Sequence, residues 1–293
     1  MEQRALGSTG LAVSALGFGA GHIGSPDLSD REAAGLLGTV LDAGVSLIDT
    51  ARGYGLSEER IGRLIPGRRS EFVLSTKVGY DVPGLADWSS EAVLAGVDRA
   101  LSQLQTDVLD VCFLHSCSLE VLEAGEAIPA LHAAQQAGKV RVCGYSGEGA
   151  ALRWAIGSGA FAAIQTSVNL ADQWTLGALI PQAAEAGLGI IAKRPLANAA
   201  WRFDDRPVGQ YEEPYWERLR TMALEPADGD WTGTALRYSA FAPGVSTAIV
   251  GTSSRAHLHA ALAAMGEGPL PDVELDRWRA AFAPHEADWP GLI

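Results

Sequence analysis

Eight short apolar runs alternating with helical segments predict a (β/α)8 barrel preceded by a small β-hairpin. Strand-like runs recur near 16–19, 45–50, 72–78, 108–115, 140–146, 162–168, 188–193 and 247–252. Helical patterns lie between them, and parallel strands need crossover connections of that kind. No Gly-, Ser- or Pro-rich linker interrupts the 293 residues, so a single domain over 1–293 is expected. A doubly wound open sheet is the rival arrangement.

The hairpin is expected from two short segments, 4–6 and 12–15, flanking the turn-like Gly7-Ser-Thr-Gly10. After the first strand, Gly19-Ala-Gly21-His-Ile-Gly24 matches the spacing of a dinucleotide-binding glycine loop, but Ser25-Pro26-Asp27 delays the helix that should begin at the third glycine. The first helix, 30–43, starts at Ser29 or Asp30 and ends before Gly44, which leads into the second strand. Ser89-Ser-Glu91 opens a helix over 89–105, and further helices are expected over 119–137, 150–156, 172–186 and 255–264. Gly138 and Gly187 follow two of these and precede strands. Residues 197–230, rich in Trp, Pro and charge, form an insert between strands seven and eight, long enough for a substrate-side loop.

Apolar residues make up 47% and charged residues 19%, a globular composition. The net charge of −13 argues against non-specific nucleic-acid binding, which needs clustered Lys and Arg, and disfavours an anionic membrane surface. Three irregularly spaced cysteines, Cys112, Cys117 and Cys143, form no disulfide framework. No basic segment leads into an apolar one near Met1, and no run reaches membrane-spanning length. These features together predict a cytoplasmic protein. The spacing of Cys112, His115 and Cys117 supplies no metal-ligand set, because Cys112 and His115 face opposite sides of a strand.

Four residues stand at or just beyond strand ends: Asp49, Tyr54, Lys77 and His115. In a parallel barrel the strand C-termini converge on one mouth, where catalytic side chains sit. Alternation puts Leu47 with Asp49, Ser75 with Lys77 and Phe113 with His115, so inward-facing odd positions bring an acid, an amine and an imidazole together. Tyr54 follows on the loop Ala51-Arg-Gly-Tyr-Gly. The motifs Asp49-Thr-Ala-Arg-Gly-Tyr54, Ser75-Thr-Lys77-Val-Gly and Phe113-Leu-His115-Ser, in this order, closely resemble the aldo-keto reductase superfamily over nearly the whole chain.

The resemblance implies a TIM barrel that reduces aldehydes and ketones with NADPH, Tyr54 acting as general acid, Lys77 and Asp49 tuning it, and His115 orienting the carbonyl. A phenol ordinarily titrates near about 10, and a neighbouring ammonium stabilises its anion. A donor is needed because charge builds on the carbonyl oxygen as hydride arrives. The same resemblance assigns Ser146 and Gln165 to the nicotinamide carboxamide, although Gly147 replaces the Asn common after that serine. Ala192-Lys193-Arg194 stands where many members place a stacking aromatic, which leaves the Arg194 guanidinium as a substitute or as a structural group. Gly251, Thr252, Ser253 and Arg255 resemble the pyrophosphate and 2′-phosphate site, with Ala260-Ala261 replacing an adenine-reading Glu-Asn pair. NADP(H) is therefore expected, with NAD(H) as the alternative, and the partner is a small carbonyl or alcohol.

Other readings stay open in the sequence. A sugar or polyol dehydrogenase would run the same chemistry oxidatively, and a redox sensor would bind NADP(H) without turnover. Gly144-Tyr-Ser146-Gly-Glu148 is one glycine short of a nucleophile elbow. Lys193, Arg194, Arg202 and Arg206 suggest a positive group near the seventh loop, and Trp88, Trp201 and Trp289 are candidates for a pocket wall. Substrate identity and oligomeric state are not encoded in any short motif.

Overall fold

The computed structural model describes residues 1–292. Its chain opens with β1 (Gln3–Ala5) and β2 (Ala12–Ser14), paired antiparallel around a turn in which Gly7 and Gly10 take positive φ. Then come β3 (Leu16–Gly19), β4 (Leu47–Asp49), β5 (Val73–Val78), β6 (Leu109–His115), β7 (Val140–Ser146), β8 (Ala163–Ser167), β9 (Gly189–Lys193) and β10 (Thr247–Gly251). These eight strands close into a parallel barrel in sequence order, with β10 returning to β3. The barrel excludes the open-sheet alternative.

Period-2 alternation divides the apolar strand residues between two layers. On β6, Val111 and Phe113 point into the barrel, while Cys112 and Leu114 face the helices. Leu6, Leu11 and Val13 of the hairpin join the interior residues Leu47, Val142, Ala163, Ile191 and Ile249, so the hairpin stoppers the end opposite the strand C-termini. The outer layer is formed with α1 (Asp30–Asp42), α2 (Ser57–Leu64), α3 (Ser90–Leu104), α4 (Leu119–Ala124), α5 (Ala127–Gln136), α6 (Gly149–Gly157), α7 (Trp174–Gly177) and α8 (Leu179–Glu185), completed by α10 (Trp231–Ala240) and α11 (Arg255–Gly266). In α1 the capping box Ser29/Glu32 fixes the start, and Ala33, Leu36, Leu37, Val40 and Leu41 supply the buried face.

Several boundaries differ from the sequence reading. The expected helix over 119–137 is broken at Gly125, whose φ of +82° ends α4. The one over 172–186 becomes α7 and α8, separated by a non-helical Ala178. Four helices escape the sequence reading altogether: α2, α9 (Glu213–Met222), α10 and α12 (Asp272–Phe282). The insert 197–230 therefore contains α9 as well as loop. With α10 and α12 it encloses a third apolar cluster around Tyr215, Leu219, Trp278 and Phe282.

The Gly19–Gly24 pattern also has a local explanation. Residues Ala20–Gly24 form a 3-10 turn, and a Cβ on Gly24 would collide with the Tyr54 carbonyl. The last glycine thus admits the Tyr54 loop, which is tied to it by the Leu56 amide donating to the Gly24 carbonyl at 3.0 Å.

Candidate functional site at the strand C-termini

Barrel register sets the candidate residues side by side. Asp49 pairs with Ser75 across β4 and β5, His115 with Ser146 across β6 and β7, and Ser146 with Gln165 across β7 and β8. Lys77 lies one inward position beyond Ser75. Its ammonium donates to Asp49 Oδ2 at 2.6 Å and to the Thr50 carbonyl at 2.9 Å, and both side chains are about as buried as any in the protein. Asp49 Oδ1 accepts from Ser75 Oγ at 2.7 Å and from Gln165 Nε2 at 3.0 Å, the latter reaching across the lumen. Burial pulls the Lys77 pKa down, but the Asp49 charge, Tyr54 and their hydrogen bonds carry it above the ordinary value. The pair is ionic.

Tyr54 is half-buried on the loop between β4 and α2, held by its amide donating to Ala51 O at 3.0 Å. Lys77 Nζ lies 5.0 Å from its ring centroid, and His115 meets it edge-on at 6.2 Å. Burial foremost, then the charges of Lys77, Lys193 and Arg194, lowers the His115 pKa to about 3, so the imidazole is neutral. Asp49, Tyr54, Lys77 and His115 are thus brought together at one mouth.

Sequence reasoning missed Tyr80. Its hydroxyl lies 3.0 Å from His115 Nδ1, and its ring packs 5.4 Å from the imidazole and 5.7 Å from Trp88. The available signal was an aromatic directly after Lys77-Val-Gly79. Trp88 does reach this edge of the mouth. Trp201 stacks on Trp231 at 5.3 Å, and Trp289 stacks on His285 at 4.3 Å.

The residues assigned by resemblance to the coenzyme fall into three groups. Ser146 Oγ donates to Gln165 Oε1 at 3.0 Å, which ties both to the Asp49 network. Arg194, with φ of +53°, donates to the Leu292 carbonyl at 2.6 Å and lies 4.9 Å over the Tyr211 ring. Gly251, Thr252, Ser253 and Arg255 lead from β10 into the α11 N-terminus, which Ser254 caps by accepting from the His257 amide. Arg255 is exposed, lies against Gly35 of α1, where a Cβ would collide with it, and has no acidic partner among the described residues.

The expected positive group near the seventh loop is largely neutralised. Arg202 pairs with Glu212 at 2.5 Å, and Arg206 with Glu213 at 2.5 Å and Glu217 at 2.6 Å. Lys193 lies 3.3 Å from Glu148, and burial lowers its pKa. Beside them the C-terminal segment meets the β8–β9 side of the mouth: the Leu292 amide donates to Asp172 Oδ2 at 3.0 Å and Arg218 donates to the Pro290 carbonyl at 2.8 Å.

Ser146 is buried with its hydroxyl committed to Gln165, and Gly144 is required by the Phe113 ring that would meet a Cβ there. Neither feature resembles an exposed nucleophile on a turn. All three cysteines are free and buried, with burial raising each thiol. Among the described residues no His, Cys, Asp and Glu cluster could hold a metal, and no helix is long and apolar enough to cross a membrane.

Comparison with known proteins agrees with this geometry. A model of the Aldo/keto reductase family matches residues 15–283. L-galactose dehydrogenase of Arabidopsis thaliana is 30% identical over 284 residues, covering 91% of this chain and 89% of the relative. D-threo-aldose 1-dehydrogenase of a Pseudomonas species is 29% identical, covering 87% and 90%. The holo structure of a Bacillus halodurans aldo-keto reductase matches with a TM-score of 0.84 at 27% identity, over 96% of both chains.

Proposed function

The chain belongs to the aldo/keto reductase family, and from that premise we propose that it is a single-domain oxidoreductase reversibly reducing an aldehyde or ketone to an alcohol with NADP(H). One observation carries the reading: a fully buried Lys77–Asp49 ion pair whose ammonium lies against the Tyr54 ring. A buried charge is costly unless paired, so such a pair beside a half-exposed phenol is a group-tuning device more readily than a stabilising one.

The bound coenzyme would supply the hydride. Tyr54 then gives its proton to the carbonyl oxygen as charge builds there, and Lys77 stabilises the phenolate left behind. Asp49 holds the ammonium in place and keeps it charged. His115, being neutral, donates a hydrogen bond to the same oxygen without competing for the proton. Ser146 and Gln165, polar groups at adjacent strand ends, would meet the carboxamide of the coenzyme. The exposed guanidinium of Arg255, without an acidic partner among the described residues and set at the α11 N-terminus, suits an anion, which favours a 2′-phosphate and so NADP(H) over NAD(H). Arg194 would border the nicotinamide from its place over Tyr211.

Tyr54→Phe tests the reading. Coenzyme binding followed by fluorescence should be retained, while turnover of a panel of aldehydes and ketones falls by at least ~100-fold. Binding without turnover in the wild type would instead favour a redox sensor, and failure to bind either coenzyme would overturn the proposal.

A second reading is oxidation of a sugar hydroxyl. It draws on the two sugar dehydrogenases that cover about nine-tenths of the chain. Assay of aldoses with NAD⁺ and NADP⁺, alongside carbonyl reduction, separates the directions.

A further inference from the structure

We propose that Tyr80 is a positioning residue: it donates its phenolic proton to Nδ1 of His115 and so keeps the imidazole proton on Nε2, available to the reacting carbonyl oxygen. The inference rests on the reading of His115 as the group that orients that oxygen.

A neutral imidazole has one donor and one acceptor nitrogen, and the partner of one nitrogen decides the role of the other. Tyr80 Oη sits 3.0 Å from Nδ1, and Nε2 has no hydrogen-bond partner among the described residues. Two arrangements fit the distance. A phenol is a far stronger acid than a neutral imidazole N–H, and an unprotonated imidazole nitrogen accepts better than a phenol oxygen. The bond with Tyr80 donating is therefore the stronger. Burial first, then the nearby Tyr54, raises the Tyr80 pKa, so its proton is present at working pH. The opposite tautomer would turn a lone pair on Nε2 toward an oxygen gaining negative charge.

The surrounding loop is built to hold this hydroxyl. Trp88 folds back with its amide donating to the Gly79 carbonyl at 2.6 Å, and its ring covers Gly79 so closely that a Cβ would collide. Trp88 adopts φ of +67°, a conformation disfavoured for a bulky residue and maintained here by that packing. On the other side, a Cβ on Gly53 would lie 3.1 Å from Tyr80 Oη, so the hydroxyl abuts the loop carrying Tyr54. Arg52 of that loop donates to the Asp81 carbonyl. The two phenol-bearing loops are thus fastened to each other around His115.

The test combines a tautomer measurement with kinetics. Nitrogen-15 NMR of histidine-labelled protein with bound NADP⁺, the His115 signals identified by their loss in His115→Gln, should show protonated Nε2 and bare Nδ1 in the wild type. Tyr80→Phe should mix the tautomers and lower kcat on the order of 10-fold with little change in KM, since an outer hydrogen bond orienting an active imidazole has effects of that size. A wild type protonated on Nδ1, or a Tyr80→Phe protein with unchanged tautomer and rate, would overturn the proposal. If His115→Gln turned over like the wild type while the tautomer still followed Tyr80, the fault would lie in the role given to His115, and the catalytic consequence drawn for Tyr80 would fall with it.

Discussion

Two charged corners face each other across the barrel mouth. On β4 and β5, Asp49 and Lys77 satisfy one another fully: Asp49 accepts from Lys77, Ser75 and Gln165, and Lys77 donates again to Thr50. At β8 and β9 the groups are looser. Lys193 stands 3.3 Å from Glu148, Arg218 is 3.7 Å from Asp172, and Asp172 Oδ1 has no hydrogen-bond partner among the described residues. The first corner is fixed by neighbouring strands whose spacing cannot change. The second depends on helices and on a C-terminal segment that meets it through Leu292. Side chains on rigid strands make the better-defined site, and those bridging to loops keep unmet electrostatic demand.

Lys77→Met should produce the larger disruption. It strips Asp49 Oδ2 of its side-chain donor and leaves a carboxylate inside the barrel, costing about 3–5 kcal/mol. Urea unfolding measures that loss, and adding Asp49→Asn should recover part of it. A Lys77→Met protein as stable as wild type would show that the barrel holds Asp49 without cost when its partner is gone, and the contrast between the corners would collapse. Activity should be lost in both variants, because Tyr54 then has no adjacent ammonium.

Lys193→Met should cost less, roughly 1–3 kcal/mol in the same measurement. Glu148 keeps the Thr166 hydroxyl at 2.5 Å and the Ser167 amide at 2.8 Å, so its carboxylate remains hydrogen-bonded. Turnover should persist. An effect equal to that of Lys77→Met would mean that the two corners are energetically alike despite their geometry.

What could be read from the sequence follows the same division. Each strand and the Asp49, Lys77 and His115 positions were legible because period-2 alternation is local: a residue's face is known once its neighbours are placed. Tyr54 was legible as part of a short motif. Tyr80 was not, since nothing local shows that the loop after Gly79 turns back beneath Trp88. The helix break at Gly125 was overridden by a long run of helix-favouring residues on both sides. Arg202 and Arg206 read in the sequence as part of a positive group although Glu212, Glu213 and Glu217 follow within the same insert, because no local signal announces α9, which aligns those acids with the two guanidinium groups. The Leu292 contact to Asp172 spans 120 residues, and no pattern within either segment announces it.

The subtlest difference between the corners should appear in the pH dependence of stability. Burial foremost, then the Glu148 charge, raises the Asp172 pKa to about 7. A raised folded value means that the native state holds this proton more tightly than the unfolded chain. Its contribution is fully present below the ordinary Asp range, near about 4, and is lost as pH rises through about 7. His115 acts oppositely. Its folded value of about 3 lies below the ordinary 6.5, so its contribution is present above 6.5 and lost as pH falls toward 3. Between about 4 and 6.5 the two slopes oppose, each limited to about 1.4 kcal/mol per pH unit. Asp172→Asn removes one of them while its amide oxygen can still accept from Leu292. The variant's stability should therefore climb more steeply than the wild type's from pH 4.5 to 6.5. Every other titrating group is shared by both proteins, so the difference between their urea-unfolding curves isolates Asp172. Parallel curves would show that Asp172 titrates as it does in the unfolded chain, and that the β8–β9 corner is as well satisfied as its counterpart across the barrel.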